Sequence, residues 1–151
     1  MRLLHKTKLK VEEFVETDVK SYKYAILSHT WGEEEATFQD MQGKLPKHKN
    51  GFSKLQNSCI EANKDGYEYI WIDTCCIDKS SSAELSEAIN SMYRWYEEAT
   101  ICYAYLSDVP AVEVEDPKQV NSSFTKSRWF TRGLTLQELI TPRELIFYCD
   151  C

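Results

Sequence analysis

The sequence predicts an open α/β domain built on a mostly parallel sheet. Four short runs are nearly continuous in apolar and aromatic residues, which is typical of strands buried on both faces. Segments with helical periodicity separate the runs, so strands and helices alternate along the chain. This alternation favours parallel strands joined by right-handed crossovers. The runs are KYAILS (23–28), YEYIWID (67–73), TICYAYLS (100–107) and ELIFYC (144–149).

The first predicted helix lies between the first two strands. Apolar residues recur at helical spacing from Phe52 onward. Ser53 and Gln56 have the spacing of a capping box, and Gly66 is a suitable residue to end the helix.

The second predicted helix has the strongest helical pattern in the chain. It covers SAELSEAINSMYRWYEEA (82–99), and Ser81 with Glu84 predicts a capping box at its start. Its apolar side chains form one stripe that we expect to pack on the sheet. The stripe consists of Leu85, Ala88, Ile89, Met92, Trp95, Tyr96 and Ala99.

The third predicted helix is short and contains Glu138. Thr135 is expected to cap residues 136–140, and Pro142 ends the segment. Thr135 and Glu138 also have capping-box spacing, which gives Glu138 a possible structural role. Trp129, a few residues earlier, is expected in the core.

Residues 108–126, DVPAVEVEDPKQVNSSFTK, lack periodicity and predict a long loop. The length of 151 residues fits a single domain over 1–151. A fifth strand and a final helix would extend such a sheet beyond Cys151. We therefore expect this domain to be the N-terminal part of a longer protein.

Composition indicates which partners to expect. The net charge is −6 and the basic residues are scattered, so we expect no nucleic acid partner. No apolar run reaches the ~20 residues of a membrane span, and charges interrupt the N-terminus where a secretory signal would be apolar. The six cysteines lie mostly in helical or strand patterns and lack zinc-ligand spacing. We expect a cytoplasmic protein with reduced thiols, no membrane span and no metal site.

Polar side chains follow each predicted strand. They lie at residues 28–32 (SHTWG), 73–76 (DTCC), 107–108 (SD) and 150. In an open α/β sheet, ligands bind outside the carboxyl ends of the strands. The chain has neither of the glycine patterns that form phosphate-binding loops. Any nucleotide must therefore be held in another way.

Each of these polar groups also has a structural interpretation. Ser28 and Asp73 can close strand-to-helix turns, His29 can be a buried structural histidine, and Trp31 can belong to the core. Cys75 near His29 would suit a thiolate–imidazole pair. Composition and spacing alone leave these alternatives open.

Four stretches of the chain resemble the fungal heterokaryon-incompatibility (HET) domain, in the order of that family. They are MRLL (1–4), YAILSHTWGEEEATFQDM (24–41), YIWIDTCCIDKSSSAELSEAINSMYRWYEEATICYAYLSDV (69–109) and SRWFTRGLTLQELITP (127–142). The chain departs from the family at Leu134, where tryptophan is usual. This change affects local packing, or removes an aromatic wall if the position faces a ligand.

The resemblance implies a fold and an activity. HET domains are similar to Toll/interleukin-1 receptor (TIR) domains, which implies a flavodoxin-like open parallel sheet of four to five strands flanked by helices. LSHTWGEEEATF (27–38) resembles the first TIR loop, and SRWFTRGLTLQEL (127–139) resembles the TIR helix with its catalytic glutamate. Enzymatic TIR domains cleave the nicotinamide–ribose bond of NAD. Their glutamate falls on Glu138, with an insertion before it in this chain.

Residue types near this motif suit the implied reaction. Departure of nicotinamide leaves an oxocarbenium-like ribose, and a carboxylate such as Glu138 can stabilise its charge. Trp31 and Phe38 can stack on a base or nicotinamide, and Arg128 or Arg132 can pair with the diphosphate. Ser28 and His29, at the end of the first strand, can line the path of ribose or phosphate. These substrate-binding candidates are Ser28, His29, Trp31, Phe38, Arg128 and Arg132.

We therefore expect a cell-death effector domain of fungal non-self recognition that cleaves NAD, as a substrate and without a cofactor, when it self-associates. Two alternatives stay open. One is a non-catalytic TIR-like assembly module, and the other is a thiol hydrolase that uses Cys75 and His29. The expected partners are NAD or a related nucleotide, further copies of the domain, and a regulatory partner or additional C-terminal domain.

Overall fold

The computed structural model describes residues 1–19, 21–110 and 122–150. In this part of the chain, six strands form one sheet in the order β2-β1-β4-β3-β5-β6. Strands β3 to β6 are mutually parallel, whereas β1 is antiparallel to both β2 and β4. The strands are β1 (Arg2–His5), β2 (Lys10–Glu13), β3 (Tyr24–His29), β4 (Tyr69–Ile72), β5 (Ile101–Pro110) and β6 (Leu145–Asp150).

Helices cover both faces of the sheet. They are α1 (Glu16–Val19), α2 (Phe38–Met41), α3 (Asn50–Lys64), α4 (Asp73–Cys76), α5 (Ser82–Glu98) and α6 (Thr135–Ile140), with a 3-10 helix at Arg128–Thr131. The Tyr24 hydroxyl donates to the Trp95 carbonyl in α5 over 2.6 Å. On the opposite face, the Tyr103 hydroxyl donates to Asp65, just after α3, over 2.6 Å. The sheet is therefore the middle layer of three.

The predicted open α/β fold and its four strands are confirmed, and β3, β4 and most of the first six residues of β5 are buried. The predicted burial of the fourth strand on both faces is wrong, because β6 lies at the edge of the sheet and residues 145–149 are only half-buried. The N-terminal hairpin of β1 and β2 was not predicted. Its outer strand, β2, is short and largely charged, as edge strands often are. Its turn contains Leu9 at φ 49° rather than glycine or proline, so the usual signal of a hairpin turn is missing. β5 also extends to Pro110, into the predicted loop, and residues 111–121 of that loop lie outside the described residues.

The end of α3 is confirmed, but its predicted capping box is wrong. The helix begins at Asn50 without a side-chain cap, and the Ser53 hydroxyl donates to the Asn50 carbonyl within the first turn. At the other end, Gly66 has φ 82°, and the Tyr67 N–H bonds to the Ala62 carbonyl over 2.8 Å. This is the glycine-dependent termination that the sequence predicts.

Helix α5 confirms the predicted cap and most of the predicted stripe. Ser81 accepts a hydrogen bond from the Glu84 N–H, while the Glu84 carboxylate accepts one from the Asp78 N–H instead of returning to Ser81. The prediction that Ile89 belongs to the buried stripe is wrong, because this residue is 58% exposed. It lies at the edge of the stripe, where 3.6-residue periodicity leaves the direction of a side chain least certain.

The strand order defines where a ligand can enter. β3 is the first parallel strand in the chain, and β4 and β5 pair with it on its two sides. The chain leaves β3 towards β4 on one side and leaves β5 towards β6 on the other, so these two connections diverge at the boundary between β3 and β5. Such a topological switch point leaves a crevice at the carboxyl ends of the strands. None of the described helices is long and apolar enough to cross a membrane.

Candidate functional site

A cleft of about 690 Å³ opens at the switch point. Its volume is within the range of small-molecule sites, roughly 300–1,000 Å³. Its walls are the loop after β3, the first turns of α3, the outer end of β5 and the start of the 3-10 helix. The lining residues are Thr30, Trp31, Gly32, Glu33, Glu34, Glu35, Asn50, Gly51, Ser53, Lys54, Tyr105, Ser107 and Arg128.

Ser28 and His29, at the end of β3, belong to two separate polar clusters. Successive side chains of a strand point to opposite faces of its sheet. Ser28 contacts Glu138 on the face covered by α5 and α6, whereas His29 contacts Asp73 and faces Glu35 on the side of α3. The two neighbouring residues therefore do not line a single path.

The cluster around Ser28 encloses a buried carboxylate. Glu138 is 2% exposed, and its Oε2 accepts a hydrogen bond from the Ser28 hydroxyl over 2.5 Å. The Arg132 guanidinium donates to Oε2 over 2.8 Å and to Oε1 over 3.0 Å. This bidentate ion pair is a strong, directional arrangement. The Ser28 oxygen in turn accepts the indole N–H of Trp129 over 2.7 Å.

The ring of Trp129 fixes the position of this cluster. Trp129 is fully buried and makes edge-on contacts with Phe130 and Phe147, while Phe124 packs against the same two rings. The Thr135 hydroxyl donates to the Trp129 carbonyl over 2.5 Å. The aromatic packing therefore holds both Ser28 and the start of α6.

Asp108 attaches the 3-10 helix to the end of β5. It accepts hydrogen bonds from the Ser127 hydroxyl over 2.7 Å and from the Arg128 N–H over 2.8 Å. Burial would raise the pKa of Asp108, but these hydrogen bonds outweigh it and hold the pKa below its ordinary value. The segment that carries Trp129, Arg132 and Glu138 is thus anchored at the switch point.

The predicted capping box of Thr135 and Glu138 is wrong. Thr135 is the first helical residue rather than the cap, and Leu134 precedes it without a side-chain cap bond. The Glu138 carboxylate binds Ser28 and Arg132 instead. Leu134, where the chain departs from the pattern that it resembles, is exposed, so this departure removes little core packing.

The cluster around His29 is more open. Nε2 of His29 lies 3.0 Å from Asp73 Oδ1, and the Trp31 indole donates to Asp73 Oδ2 over 2.8 Å. Burial would raise the pKa of Asp73, but the His29 hydrogen bond and neighbouring positive charge lower it overall. Trp31 is 53% exposed, and the Lys79 ammonium lies 3.3 Å from its ring centroid.

Glu35 connects this cluster to the cleft. Its Oε1 accepts hydrogen bonds from Lys54 over 2.5 Å and from the Gly32 N–H over 2.6 Å. Nδ1 of His29 is buried without a hydrogen-bond partner among the residues that the structure describes, and it lies 4.0 Å from the same oxygen. Gly51 is required nearby, since a Cβ there would lie 2.7 Å from the Glu34 carbonyl oxygen.

The structure places the remaining predicted site residues as follows. Arg128 lines the cleft. Phe38 lies elsewhere, in α2, with the Arg2 guanidinium 4.3 Å from its ring centroid. Cys75 is fully buried, and its sulfur contacts the Ile72 carbonyl and Cys76. The Cys76 thiol and burial raise the pKa of Cys75, which argues against a reactive thiolate.

Three residues that line the cleft were not predicted as site residues, namely Glu35, Lys54 and Tyr105. Glu35 belongs to the acidic run GEEEA, which gave a weak signal, whereas Lys54 on α3 and Tyr105 on β5 gave none. Among the described residues, no group of three or more His, Cys, Asp or Glu side chains is arranged to hold a metal ion.

The fold and cleft define the chain as an open α/β domain with a polar cleft at its switch point. Residues 24–121 match the family described as "Heterokaryon incompatibility protein (HET)". The chain is also 49% identical over 130 residues to the vegetative incompatibility protein HET-E-1 of Podospora anserina. The chain therefore belongs to the HET family.

The match to HET-E-1 covers 83% of this chain and 10% of that relative, so the chain spans about a tenth of the length of the relative. No solved structure gives a significant match.

Proposed function

We propose that the chain is the effector domain of a fungal heterokaryon-incompatibility protein and that it cleaves NAD between nicotinamide and ribose when it self-associates. The family match and the name of the relative support the role in incompatibility and cell death. The observation that carries the enzymatic part is the position of Glu138. Its carboxylate is hydrogen-bonded to Ser28, at the carboxyl end of the first parallel strand.

Glu138 would act electrostatically on the breaking bond. As nicotinamide leaves, positive charge develops on the ribose, and a fixed carboxylate lowers the energy of that state. The Ser28 hydroxyl would hold the carboxylate in position. Trp31 and Arg128, which line the cleft, would stack on a ring and pair with the diphosphate. The carboxylate is expected to contribute on the order of 10²–10³ in rate.

The order of the parallel strands supports a TIR-like architecture. In chain order, the second, first, third and fourth parallel strands lie side by side, as β4-β3-β5-β6. This is the flavodoxin-like order, which binds nucleotides at the same switch point. The proposed action is cytoplasmic, in keeping with free cysteines at 59, 75, 76, 102 and 149.

The burial of Glu138 supports a resting arrangement in this scheme. Glu138 is 2% exposed and is absent from the residues that line the cleft in the described part of the chain. A substrate sugar can reach it only after the surrounding segment rearranges. Self-association is the proposed trigger, because an effector of cell death must be silent until it is needed.

The test is nicotinamide release from NAD by the chain displayed on a multivalent particle. Glu138→Gln keeps the size of the side chain and is expected to lower the rate of release on the order of 10²–10³-fold. Glu144→Gln, at an exposed position on the same segment, is the matched control and should behave as wild type. Full activity of Glu138→Gln, or no release by any form of the clustered wild type, would contradict the proposal.

The second candidate is a non-catalytic assembly module. Apolar side chains are exposed on α5 and α6, which contact each other, and such residues suit a protein interface. They include Ile89, Tyr93, Leu136 and Ile140. This candidate predicts that killing of fungal cells survives Glu138→Gln with unchanged NAD levels. It also predicts that Leu136→Asp abolishes killing.

A further inference from the structure

Arg132 holds Glu138 in a state that cannot serve the proposed reaction. A carboxylate stabilises a developing positive charge only if its own charge is not already neutralised nearby. In the structure, both Glu138 oxygens accept hydrogen bonds from the Arg132 guanidinium, over 2.8 and 3.0 Å. The guanidinium therefore already neutralises the negative charge that would otherwise stabilise the ribose cation.

We propose that Arg132 exchanges partners when substrate binds, leaving Glu138 and pairing with a phosphate group of the ligand. Arg132 thereby determines specificity, since a ligand without phosphate cannot release the carboxylate. This inference rests on the proposed cleavage of NAD. It defines the substrate class as nicotinamide nucleotides that carry at least one phosphate, as opposed to the uncharged nucleoside.

The geometry allows Arg132 to move while Glu138 stays in place. The Arg132 side chain is 23% exposed, whereas that of Glu138 is 3% exposed, so the arginine is the member of the pair that solvent and ligand can reach. The next residue, Gly133, borders open space, because apart from its chain neighbours no described residue has a heavy atom within 4 Å of where a Cβ would lie. The planar guanidinium matches phosphate as well as carboxylate.

The charges of Glu138 and Arg132 must both find new partners when the ion pair separates. Separating a buried ion pair is costly, because Glu138 would keep a charge with little access to water. A phosphorylated substrate compensates both members, with phosphate on Arg132 and the ribose cation on Glu138. Nicotinamide riboside offers the ribose cation to Glu138 but no phosphate to Arg132.

Ser28 would hold the carboxylate after Arg132 leaves. The Trp129 indole N–H donates to the Ser28 oxygen over 2.7 Å, so the Ser28 hydroxyl hydrogen is free to point at Glu138, 2.5 Å away. Because Trp129 is fully buried, this orientation does not depend on Arg132. The exchange therefore changes the charge around Glu138 without removing its anchor.

The first experiment compares release of nicotinamide from nicotinamide mononucleotide and nicotinamide riboside, which share the scissile bond and differ by one phosphate. The clustered wild-type chain is expected to prefer the phosphorylated substrate by on the order of 10²-fold in kcat/KM, because a lost charge-assisted contact typically has this effect. Arg132→Gln should reduce that preference at least tenfold, partly through faster cleavage of the riboside. Arg143→Gln, at an exposed position beyond α6, should keep the wild-type ratio.

A second experiment observes Glu138 without turnover. The 13C carboxyl resonance of Glu138, assigned by its loss in Glu138→Gln, is followed while inorganic pyrophosphate is added to the full chain. The resonance should move in wild type and stay still in Arg132→Gln. If Arg132→Gln does not fold, Arg132→Lys replaces it and should show a smaller shift, because an ammonium lacks the guanidinium fork.

The outcomes separate the exchange from the proposed activity. An unchanged substrate ratio in a folded Arg132 variant, with a Glu138 resonance insensitive to pyrophosphate, overturns the exchange even if NAD is cleaved. A pyrophosphate-dependent shift without nicotinamide release from any substrate supports the exchange and contradicts the proposed cleavage.

Discussion

Ser28 and His29 are adjacent in sequence, yet the clusters that they join differ in how completely their polar atoms are paired. On the Ser28 side, the carboxylate of Glu138, the guanidinium of Arg132 and the indole of Trp129 form a buried and connected network. On the His29 side, Nδ1 of His29 accepts or donates no hydrogen bond within the described part of the chain, and Glu35 borders a cleft. The open cluster borders a cleft that can receive a ligand, whereas under the proposed function the closed cluster would keep the catalytic carboxylate buried until the domain is activated.

The same difference should appear in the free energy of unfolding of variants of the two clusters. Breaking a pair deep in the Ser28 cluster leaves a charge that water cannot reach, whereas water in the cleft can solvate a charge left on the other side. Substitutions on the two faces of β3 therefore test the comparison directly.

The largest effect is expected for Arg132→Gln. It leaves the nearly inaccessible Glu138 carboxylate uncompensated and should lower the free energy of unfolding by about 3–5 kcal/mol. Lys54→Gln removes the corresponding cation from Glu35 beside the cleft and should cost only about 1–2 kcal/mol. Urea denaturation measures both.

The double variant Arg132→Gln/Glu138→Gln removes both charges and should regain most of the stability lost in Arg132→Gln. Equal losses of unfolding free energy for Arg132→Gln and Lys54→Gln would show that water reaches the two clusters equally, which would contradict the difference between them.

The next effect concerns the wall of the cleft. A Cβ at Gly51 would lie 2.7 Å from both the Glu34 carbonyl oxygen and the Glu35 Cα, so Gly51→Ala must displace the loop after β3. We expect a loss of about 1–3 kcal/mol in unfolding free energy. Gly133→Ala, where the Cβ position is open, is the matched control and should stay within about 0.5 kcal/mol of wild type. An unchanged free energy of unfolding in Gly51→Ala would mean that the loop after β3 can shift at little energetic cost.

The smallest effect concerns pH and the His29 cluster. The folded-state pKa of Asp73 is lowered from its ordinary value of 3.8 despite burial, through His29 and neighbouring positive charge. A depressed carboxyl pKa stabilises the fold above the unfolded-state pKa, and this stabilisation is lost as pH falls through the folded-state value. Unfolding free energy measured from about pH 6 down to about pH 3 should therefore fall less in Asp73→Asn than in wild type. Asp18→Asn, at an exposed position, should follow the wild-type curve. Parallel curves for Asp73→Asn and wild type would contradict this assignment.

The parts of the fold that could be predicted are those encoded by local pattern. The run KYAILS (23–28) predicts β3 because a strand buried on both faces is nearly continuous in apolar residues, and all six residues of β3 are buried. The Gly66 helix end followed from the conformational freedom of glycine. The β1–β2 hairpin was missed because its outer strand is charged and its turn contains Leu9 in a left-handed conformation.

The candidate site could be predicted only in part, because its contacts are long-range. Ser28 and Glu138 are 110 positions apart, and no local rule joins them. Local spacing predicted a capping box for Glu138, which is wrong, and only the family resemblance selected this glutamate for a chemical role. The contact of Lys54 with Glu35 depends on the approach of α3 to the loop after β3, which Gly51 permits.

The most direct test of the central claim compares two carboxylates on the two sides of β3. Nicotinamide release from NAD is measured for clustered Glu138→Gln and Glu35→Gln, after both are shown to be folded. If Glu138 carries the chemistry, its substitution lowers kcat on the order of 10²–10³-fold, whereas Glu35→Gln raises KM and leaves kcat within about threefold. Wild-type kcat in Glu138→Gln, or a greater loss of kcat in Glu35→Gln, would contradict the account.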